Sequence, residues 1–113
     1  MLPDSDIVRL RHMLDAALEV MEFAEGRSRL DLNNNPMFSR AVVRDIEIIG
    51  EAANKITQQT RDEYPTLPWA SIIGMRNRLI HGYFDVDLDR LWDTITIDLP
   101  ELIVELRRVI QQR

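Results

Sequence analysis

Hydrophobic residues recur every three or four positions along most of the chain, which is the spacing of one face of an α-helix. The first such stripe predicts a helix over roughly residues 5–25, with Asp4 or Ser5 as its cap and Gly26 as its stop. The apolar positions of this stripe are Ile7, Leu10, Leu14, Ala17, Leu18 and Met21.

A second long helix is predicted from Pro36 to about Gln59. The stretch before it, residues 27–35, has no sustained period and is predicted to be a loop. Gly50 lies inside this helix, where glycine costs about 1 kcal/mol relative to alanine, so we expect it to permit the close approach of another helix. The apolar positions of the second stripe are Phe38, Val42, Ile46, Ile49, Ala53 and Ile56.

The remaining pattern predicts two more helices. Residues 64–68 contain two prolines and are predicted to link helices, because each proline disfavours helical backbone in the residue before it. A third helix is expected from Pro68 to near His81 and Gly82, and a last one carries an apolar series that stays in phase across Pro100, where we expect a kink. No segment alternates like a strand, so the prediction is a single all-α domain, residues 1–113, folded as an up-and-down bundle of four to five helices.

Composition removes several classes of function. The chain has no cysteine and two histidines far apart in sequence, which excludes disulfides and thiolate metal sites and disfavours a zinc site. We therefore predict no metal and no cofactor. The N-terminus does not resemble a secretory leader and the apolar runs are short, so we expect a cytoplasmic protein without membrane contact.

The charge balance limits how a polyanion could bind. Fourteen Lys+Arg against 19 Asp+Glu give a formal net charge of −5, so nucleic acid could bind only at a local basic patch. All the cationic side chains except Lys55 are arginines, whose planar fork suits bidentate phosphate contact. The alternative for any one arginine is a surface ion pair.

The densest candidate chemistry lies in residues 76–83, Arg-Asn-Arg-Leu-Ile-His-Gly-Tyr. The apolar residues around this segment, at positions 69, 72, 73, 79 and 80, share one face of the predicted third helix, and Arg76 falls on the same face. A guanidinium stays charged at accessible pH, so we expect Arg76 to meet an anion across a contact or to line a cleft.

Arg76, His81 and Tyr83 match the R-x4-H-x-Y signature of the HEPN superfamily, and the chain resembles its HepT branch. The resemblance extends over nearly the whole chain, through the segments 48–54, 64–65, 68–69 and 76–84 and through Trp92. It implies a HEPN-like helical bundle that forms a homodimer, with the cleft built from the motif helices of both subunits. It also implies a ribonuclease toxin with an RNA substrate, and a partner antitoxin, an MNT-type nucleotidyltransferase, that can add AMP to Tyr83.

Helical geometry poses a problem for this motif. On a continuous helix Arg76 and His81 would point about 140° apart, so one chain alone would seat them poorly. Either the helix unwinds before His81, helped by Gly82, or a two-fold dimer brings Arg76 of one subunit toward His81 of the other. Asn77 and His81, at i and i+4, would share a face and could orient each other.

The residue types suit metal-independent RNA cleavage through the ribose 2′-hydroxyl. His81 can take a proton from the 2′-hydroxyl or give one to the leaving 5′-oxygen, while Arg76 stabilises the charge that develops on the phosphorus. Asn77 would orient His81 or the phosphate. Arg78 is either a phosphate-holding cation or a solvated residue, and Tyr83 is a hydrogen-bond donor, a base-stacking surface or a modification target.

Other interpretations remain open from the sequence. Glu51 is either a surface carboxylate or a partner that fixes Arg76 or Asn77, and His12, off the first apolar stripe, is expected on the surface. Besides the ribonuclease toxin, the chain could be a non-enzymatic helical binding subunit of a nucleotidyltransferase complex. It could also be a plain scaffold in which Arg76 pairs with Glu51.

Overall fold

The computed structural model describes residues 2–82 and 85–112, and these form a helical domain with one short hairpin. Three long runs of helix make the core: α1, Asp4–Ala24; α3, Pro36–Lys55; and a C-terminal run of α7, Leu88–Asp93, and α8, Leu99–Gln112. Shorter helices connect them: α2, Asp31–Asn34; α4, Gln58–Glu63; α5, Trp69–Ile73; and α6, Met75–Leu79. The predicted all-α class is confirmed.

The core lies where α1 packs against both α3 and α8. Their apolar stripes supply side chains with almost no exposure, and α6 and α7 add Leu79 and Leu91 to the same cluster. The fully or nearly fully buried members of α1, α3 and α8 are Leu10, Met13, Ala17, Val20, Val42, Ile46, Ile49, Ala53, Leu99 and Leu106.

The helix ends differ from the predictions where local capping decides them. Pro3, without a side-chain cap, precedes α1, so neither Asp4 nor Ser5 is its cap. Before α3 the Asn35 side chain accepts the Phe38 N–H at 3.2 Å, and the expected Pro36 occupies the first turn. The second predicted helix ends earlier, at Lys55, because Thr57 caps the separate helix α4.

A buried carboxylate ties α1 to that cap. Asp6 is fully buried and accepts hydrogen bonds from the hydroxyls of Thr57 and Thr60, both at 2.6 Å, and from the Thr57 N–H at 3.2 Å. Burial alone would raise the pKa of Asp6, but these hydrogen bonds, helped by the charge of Arg9, outweigh it and lower the pKa.

The expected kink at Pro100 takes the form of a widened turn. Residues Thr94–Asp98 are π-helical between α7 and α8, and the Leu99 N–H donates to the Thr94 carbonyl five residues earlier. Proline lacks an N–H and crowds the carbonyl four residues before it, so a wider turn ahead of Pro100 accommodates the ring without ending the helix.

The predicted extent of the third helix is wrong. It is interrupted at Gly74, which separates α5 from α6, and it ends at Leu79 instead of His81. Two short antiparallel strands follow, β1, Ile80–His81, and β2, Asp85–Val86. The expectation that no segment is a strand is therefore also wrong, because a two-residue strand is too short to show alternation. Among the described residues, no helix is long and apolar enough to cross a membrane.

Candidate functional site

The motif residues lie on α6 and on the hairpin that follows it. Arg76, Asn77 and Arg78 belong to α6, whereas His81 belongs to β1. The Asp87 N–H donates to the Leu79 carbonyl at 2.7 Å, which closes the base of the hairpin onto the end of α6. The chain turns at Gly82 with φ +83°, a backbone conformation that glycine adopts without strain. Of the two routes considered for seating His81, the helix does unwind before it.

Arg76 is held by a carboxylate of α3. Its Nε donates to Glu47 Oε2 at 3.1 Å, and the side chains of Arg76 and Glu47 are 46% and 30% exposed. The sequence predicts that Arg76 lies on the apolar face of one continuous helix. The interruption at Gly74 shifts the phase of α6 relative to α5, so Arg76 does not lie on that face. We expect the charged Arg76 either to meet an anion or to line a cleft. The structure shows both, since Arg76 contacts the Glu47 carboxylate and lines a cleft.

The cleft is a shallow depression of ≈ 230 Å³ between α3 and the end of α5 and start of α6. Gly50 helps to bring the two walls together, because a Cβ at this position would contact the Ile73 carbonyl oxygen at 3.4 Å. On the α3 side the lining residues follow one face at helical spacing. The cleft is lined by Glu47, Gly50, Glu51 and Asn54 from α3, and by Ile73, Arg76 and Asn77 opposite.

Glu51 lines this cleft without contacting the motif arginine. Its nearest charged partner is Arg44, at 3.8 Å, and both side chains are more than half exposed. Of the two alternatives left open by the sequence, Glu51 is thus a surface carboxylate, and Arg76 pairs with Glu47, one helical turn earlier on α3. Glu51 remains positioned on the wall of the cleft, beside the pair.

His81 and Asn77 are not related as a helical i, i+4 pair, because α6 ends between them. Both are exposed, and within the described residues no hydrogen bond joins them. His81 instead pairs across the hairpin with Asp85. Cross-strand partners carry their side chains on the same face, so the Asp85 carboxylate is the acidic neighbour that this fold gives to the imidazole.

Arg78 points away from the cleft that contains Arg76. Its Nη2 donates to the Ser71 carbonyl at 2.8 Å, and the side chain lines a separate cavity of ≈ 460 Å³ between α5, α6 and the C-terminal helices. The same cavity is lined by Arg90 and by the carboxylates of Asp98, Glu101 and Glu105. Within one subunit, Arg76 and Arg78 therefore do not face the same cleft.

Two candidate residues were not identified from the sequence, Glu47 and Asp85. The signal for Glu47 is its i, i+3, i+4 relation to Gly50 and Glu51, which places all three on one face of α3. Asp85 has no comparable signal until the hairpin is known. Tyr83 lies outside the described residues. Among the described residues, no three His, Asp or Glu side chains are grouped closely enough to hold a metal ion.

Comparison with known proteins identifies a family. Residues 13–109 match the family model for HepT-like ribonucleases. A protein of Caldanaerobacter subterraneus subsp. tengcongensis, provisionally named an RNase, is 37% identical over 103 residues, which cover 91% of this chain and 92% of that one. A protein of Methanocaldococcus jannaschii with the same provisional name is 38% identical over 100 residues, covering 88% and 92%.

A third relative, from Thermococcus cleftensis, is provisionally named ribonuclease HepT. It is 45% identical over 62 residues, covering 55% of this chain and 56% of that one. No solved structure matches the chain significantly. The family model covers most of the domain, including every element that forms the cleft and the hairpin, so the chain belongs to the HepT-like ribonuclease family.

Proposed function

We propose that this protein is the toxin of a toxin–antitoxin pair, an endoribonuclease that cleaves RNA without a metal ion at a site composed of Arg76 and His81 from two subunits. One observation carries the proposal. Arg76 and Asn77 are both exposed and line one open cleft, and the hairpin that follows α6 presents His81 to solvent. In a family of ribonucleases, these are the groups that RNA chemistry requires.

The proposed dimer supplies what one subunit lacks. Arg76 and His81 lie on different elements, and no described hydrogen bond joins them within the chain. A two-fold axis near α6 and the hairpin would bring two guanidiniums and two imidazoles to one cleft. Substrate would then bind between subunits and contact both guanidiniums and both imidazoles, while the Glu47 and Glu51 carboxylates line the same cleft.

The chemistry proceeds by attack of the ribose 2′-oxygen on the adjacent phosphorus. One His81 imidazole accepts the 2′-hydroxyl proton as the new O2′–P bond forms, and the partner's imidazolium donates a proton to the 5′-oxygen as the P–O5′ bond breaks. The products are a 2′,3′-cyclic phosphate and a 5′-hydroxyl. Arg76 stabilises the additional negative charge on the phosphorus, and Asn77 hydrogen-bonds a phosphate oxygen.

Two carboxylates position these groups in the proposal. Glu47 holds Arg76 through Nε, and among the described residues the terminal nitrogens of Arg76 have no other partner, so they can contact phosphate oxygens. Asp85 is the cross-strand partner of His81, so its carboxylate lies on the same face of the hairpin as the imidazole. Arg78 faces a different cavity and is better suited to holding RNA outside the cleft, or to a structural role, than to the reacting phosphate.

The antitoxin is proposed to be an MNT-type nucleotidyltransferase that acts on Tyr83. Transfer of AMP to the phenol, with release of pyrophosphate from ATP, would add phosphate charge two residues from His81 in the sequence and compete with RNA for Arg76. Tyr83 immediately follows Gly82, so it is one residue from the hairpin strand that carries His81.

The experiment that tests the activity is incubation of purified protein with total RNA in EDTA, comparing the wild-type protein with His81→Ala. We expect cleavage by the wild-type protein and none by the variant, with unchanged helicity by circular dichroism. Activity that disappears in EDTA and returns with magnesium would contradict the metal-independent route. Equal activity of the two proteins would remove His81 from the mechanism.

One observation favours a second function, a non-enzymatic binding subunit of a nucleotidyltransferase complex. Arg76 is already neutralised by Glu47 in the isolated subunit, and the protein is acidic as a whole. In that case the wild-type protein would bind the nucleotidyltransferase but would leave RNA intact in the EDTA assay.

A further inference from the structure

A second groove adjoins the cleft that contains Arg76. It lies between α1 and α3, has a volume of ≈ 500 Å³, and shares Glu51 with that cleft. Each helix contributes four residues at i, i+3, i+4 and i+7, so both walls are continuous helix faces. The α1 wall consists of Ser5, Val8, Arg9 and His12, and the α3 wall consists of Ile48, Glu51, Ala52 and Lys55.

The groove has an unusual charge for this protein. Its rim carries Arg9, His12 and Lys55 against one carboxylate, Glu51, whereas the chain as a whole has an excess of five negative charges. Lys55 is the only lysine in the sequence. Within the described residues, neither the Lys55 ammonium nor the His12 imidazole has an ion-pair partner. Two of the three basic groups are therefore available to an anion.

The remaining charges are engaged within the subunit. Arg9 lies 3.9 Å from the buried carboxylate of Asp6 and donates to the Lys55 carbonyl at 3.2 Å, so it fixes one end of the groove. Glu51 is partly neutralised by Arg44 at 3.8 Å. Lys55 is thus the cation of the groove that has no ion-pair partner among the described residues.

The floor of the groove is apolar and open. Val8 is 50% exposed, although it belongs to the core-forming helix α1, and the partly buried Ile48 lies opposite on α3. An apolar floor with a cationic rim matches single-stranded RNA, in which bases stack on apolar and aromatic surfaces while phosphates contact basic side chains. The His12 imidazole can supply a flat stacking surface.

We propose that the α1–α3 groove binds the RNA strand that flanks the scissile phosphate, with Lys55 contacting a phosphate and His12 contacting a base or a phosphate. The inference rests on the proposed ribonuclease function, because it requires that the scissile phosphate of the RNA binds in the cleft that contains Arg76. A strand that leaves Arg76 along the face of α3 passes Glu51 and enters this groove. His12 and Lys55 would therefore determine affinity for longer RNA, whereas Arg76 and His81 carry the reaction.

The direct test measures binding of a non-cleavable RNA, a 2′-O-methyl oligonucleotide of about ten nucleotides, by fluorescence anisotropy. His12→Ala and Lys55→Ala should each weaken binding about fivefold or more, the effect of losing one stacked base or one phosphate contact. Lys55→Ala should also reduce the salt dependence of binding by about one phosphate contact. Arg107→Ala, an exposed arginine on α8, is the matched control and should leave binding unchanged.

Cleavage kinetics provide a second measurement. In the two groove variants KM for an oligonucleotide should rise about fivefold with little change in kcat, and the rise should shrink as the substrate is shortened to a dinucleotide. The assignment would be overturned if His12→Ala and Lys55→Ala changed binding and KM no more than Arg107→Ala does. Loss of the dimer mass in His12→Ala or Lys55→Ala would also overturn it, because the groove would then be a contact with a second copy of the chain. Failure of the proposed function is distinguishable, since the wild-type protein itself would not cleave RNA.

Discussion

At the scale of single residues, the Glu47–Arg76 ion pair fixes the motif helix to α3. It combines a 3.1 Å hydrogen bond with opposite charges at a partly exposed position, so its contribution to folding is small. Its value lies in orientation, because a guanidinium held through Nε presents its terminal nitrogens toward the cleft. A positioning contact of this kind affects the reaction more than the stability.

Glu47→Gln should therefore lower kcat several-fold, since an ion pair between partly exposed side chains contributes up to about 1 kcal/mol and each 1.4 kcal/mol is a factor of ten. The thermal midpoint should change little. Asp89→Asn on α7, which removes the 2.8 Å ion pair between Asp89 and Arg29, is the matched control and should retain activity. A larger loss of kcat in Glu51→Gln than in Glu47→Gln would contradict the assignment of the partner.

At the scale of elements, amphipathic periodicity was sufficient for the long helices and insufficient for the motif segment. The stripes in α3 and α8 bury enough apolar surface to determine helix and face together, so those predictions are confirmed. For α1 the helix is confirmed but the face is rotated, because Met13, Ala16 and Val20 are buried beside Leu10 and Ala17 while the rest of the predicted stripe is only partly buried. The motif segment contains Gly74, Gly82 and only two residues in each strand, and its apolar spacing also fits one continuous helix. Sequence spacing therefore placed His81 at the end of a helix that in fact ends at Leu79, and it could not indicate Glu47 as the partner of Arg76.

The packing of α1 on α3 contains a destabilising carboxyl group that gives a prediction on pH. Asp45 is 4% exposed and its Oδ2 has no hydrogen-bond partner among the described residues. Burial, together with a hydrogen bond to Glu19 and its negative charge, raises the pKa of Asp45 to about 7, and Arg44 offsets this only in part.

Because the folded pKa of Asp45 is above its unfolded value, the native state binds the proton more tightly. The stabilisation is present at pH below the unfolded pKa and is lost as the pH rises through about 7. The free energy of unfolding, measured by urea titration, should therefore fall between about pH 5 and pH 8. Asp45→Asn should reduce this fall, and Asp62→Asn on the exposed face of α4 should not. An unchanged slope in Asp45→Asn would show that another group titrates.

At the scale of the whole molecule, the proposed function depends on a homodimer. The subunit exposes Arg76, Asn77 and His81 around one end of α6, and its exposed cleft and groove are contiguous through Glu51. Light scattering at micromolar concentration should give twice the mass of the 13.2 kDa chain. A monomer under these conditions would contradict the composite site, although the family and the fold would be unaffected.

Regulation by the proposed antitoxin makes a separate prediction for Tyr83. Incubation with an MNT-type nucleotidyltransferase from the same genome, ATP and magnesium should add the mass of one or more AMP units to the peptide that contains Tyr83, with parallel loss of RNA cleavage. Tyr83→Phe should resist both changes, and Tyr64→Phe is the matched control that should not. Neutralisation that persists unchanged in Tyr83→Phe would indicate an antitoxin that acts by binding alone.

The most direct test of the central claim uses a dimer with one inactive subunit. Wild-type and His81→Ala chains with different affinity tags are co-expressed, the heterodimer is isolated by two-step purification, and cleavage of a defined RNA is measured in EDTA. If both imidazoles serve one composite cleft, the heterodimer should have far less than half of the wild-type activity, close to that of the His81→Ala homodimer. A heterodimer with half of the wild-type activity would contradict the account, because each subunit would then contain a complete and independent site.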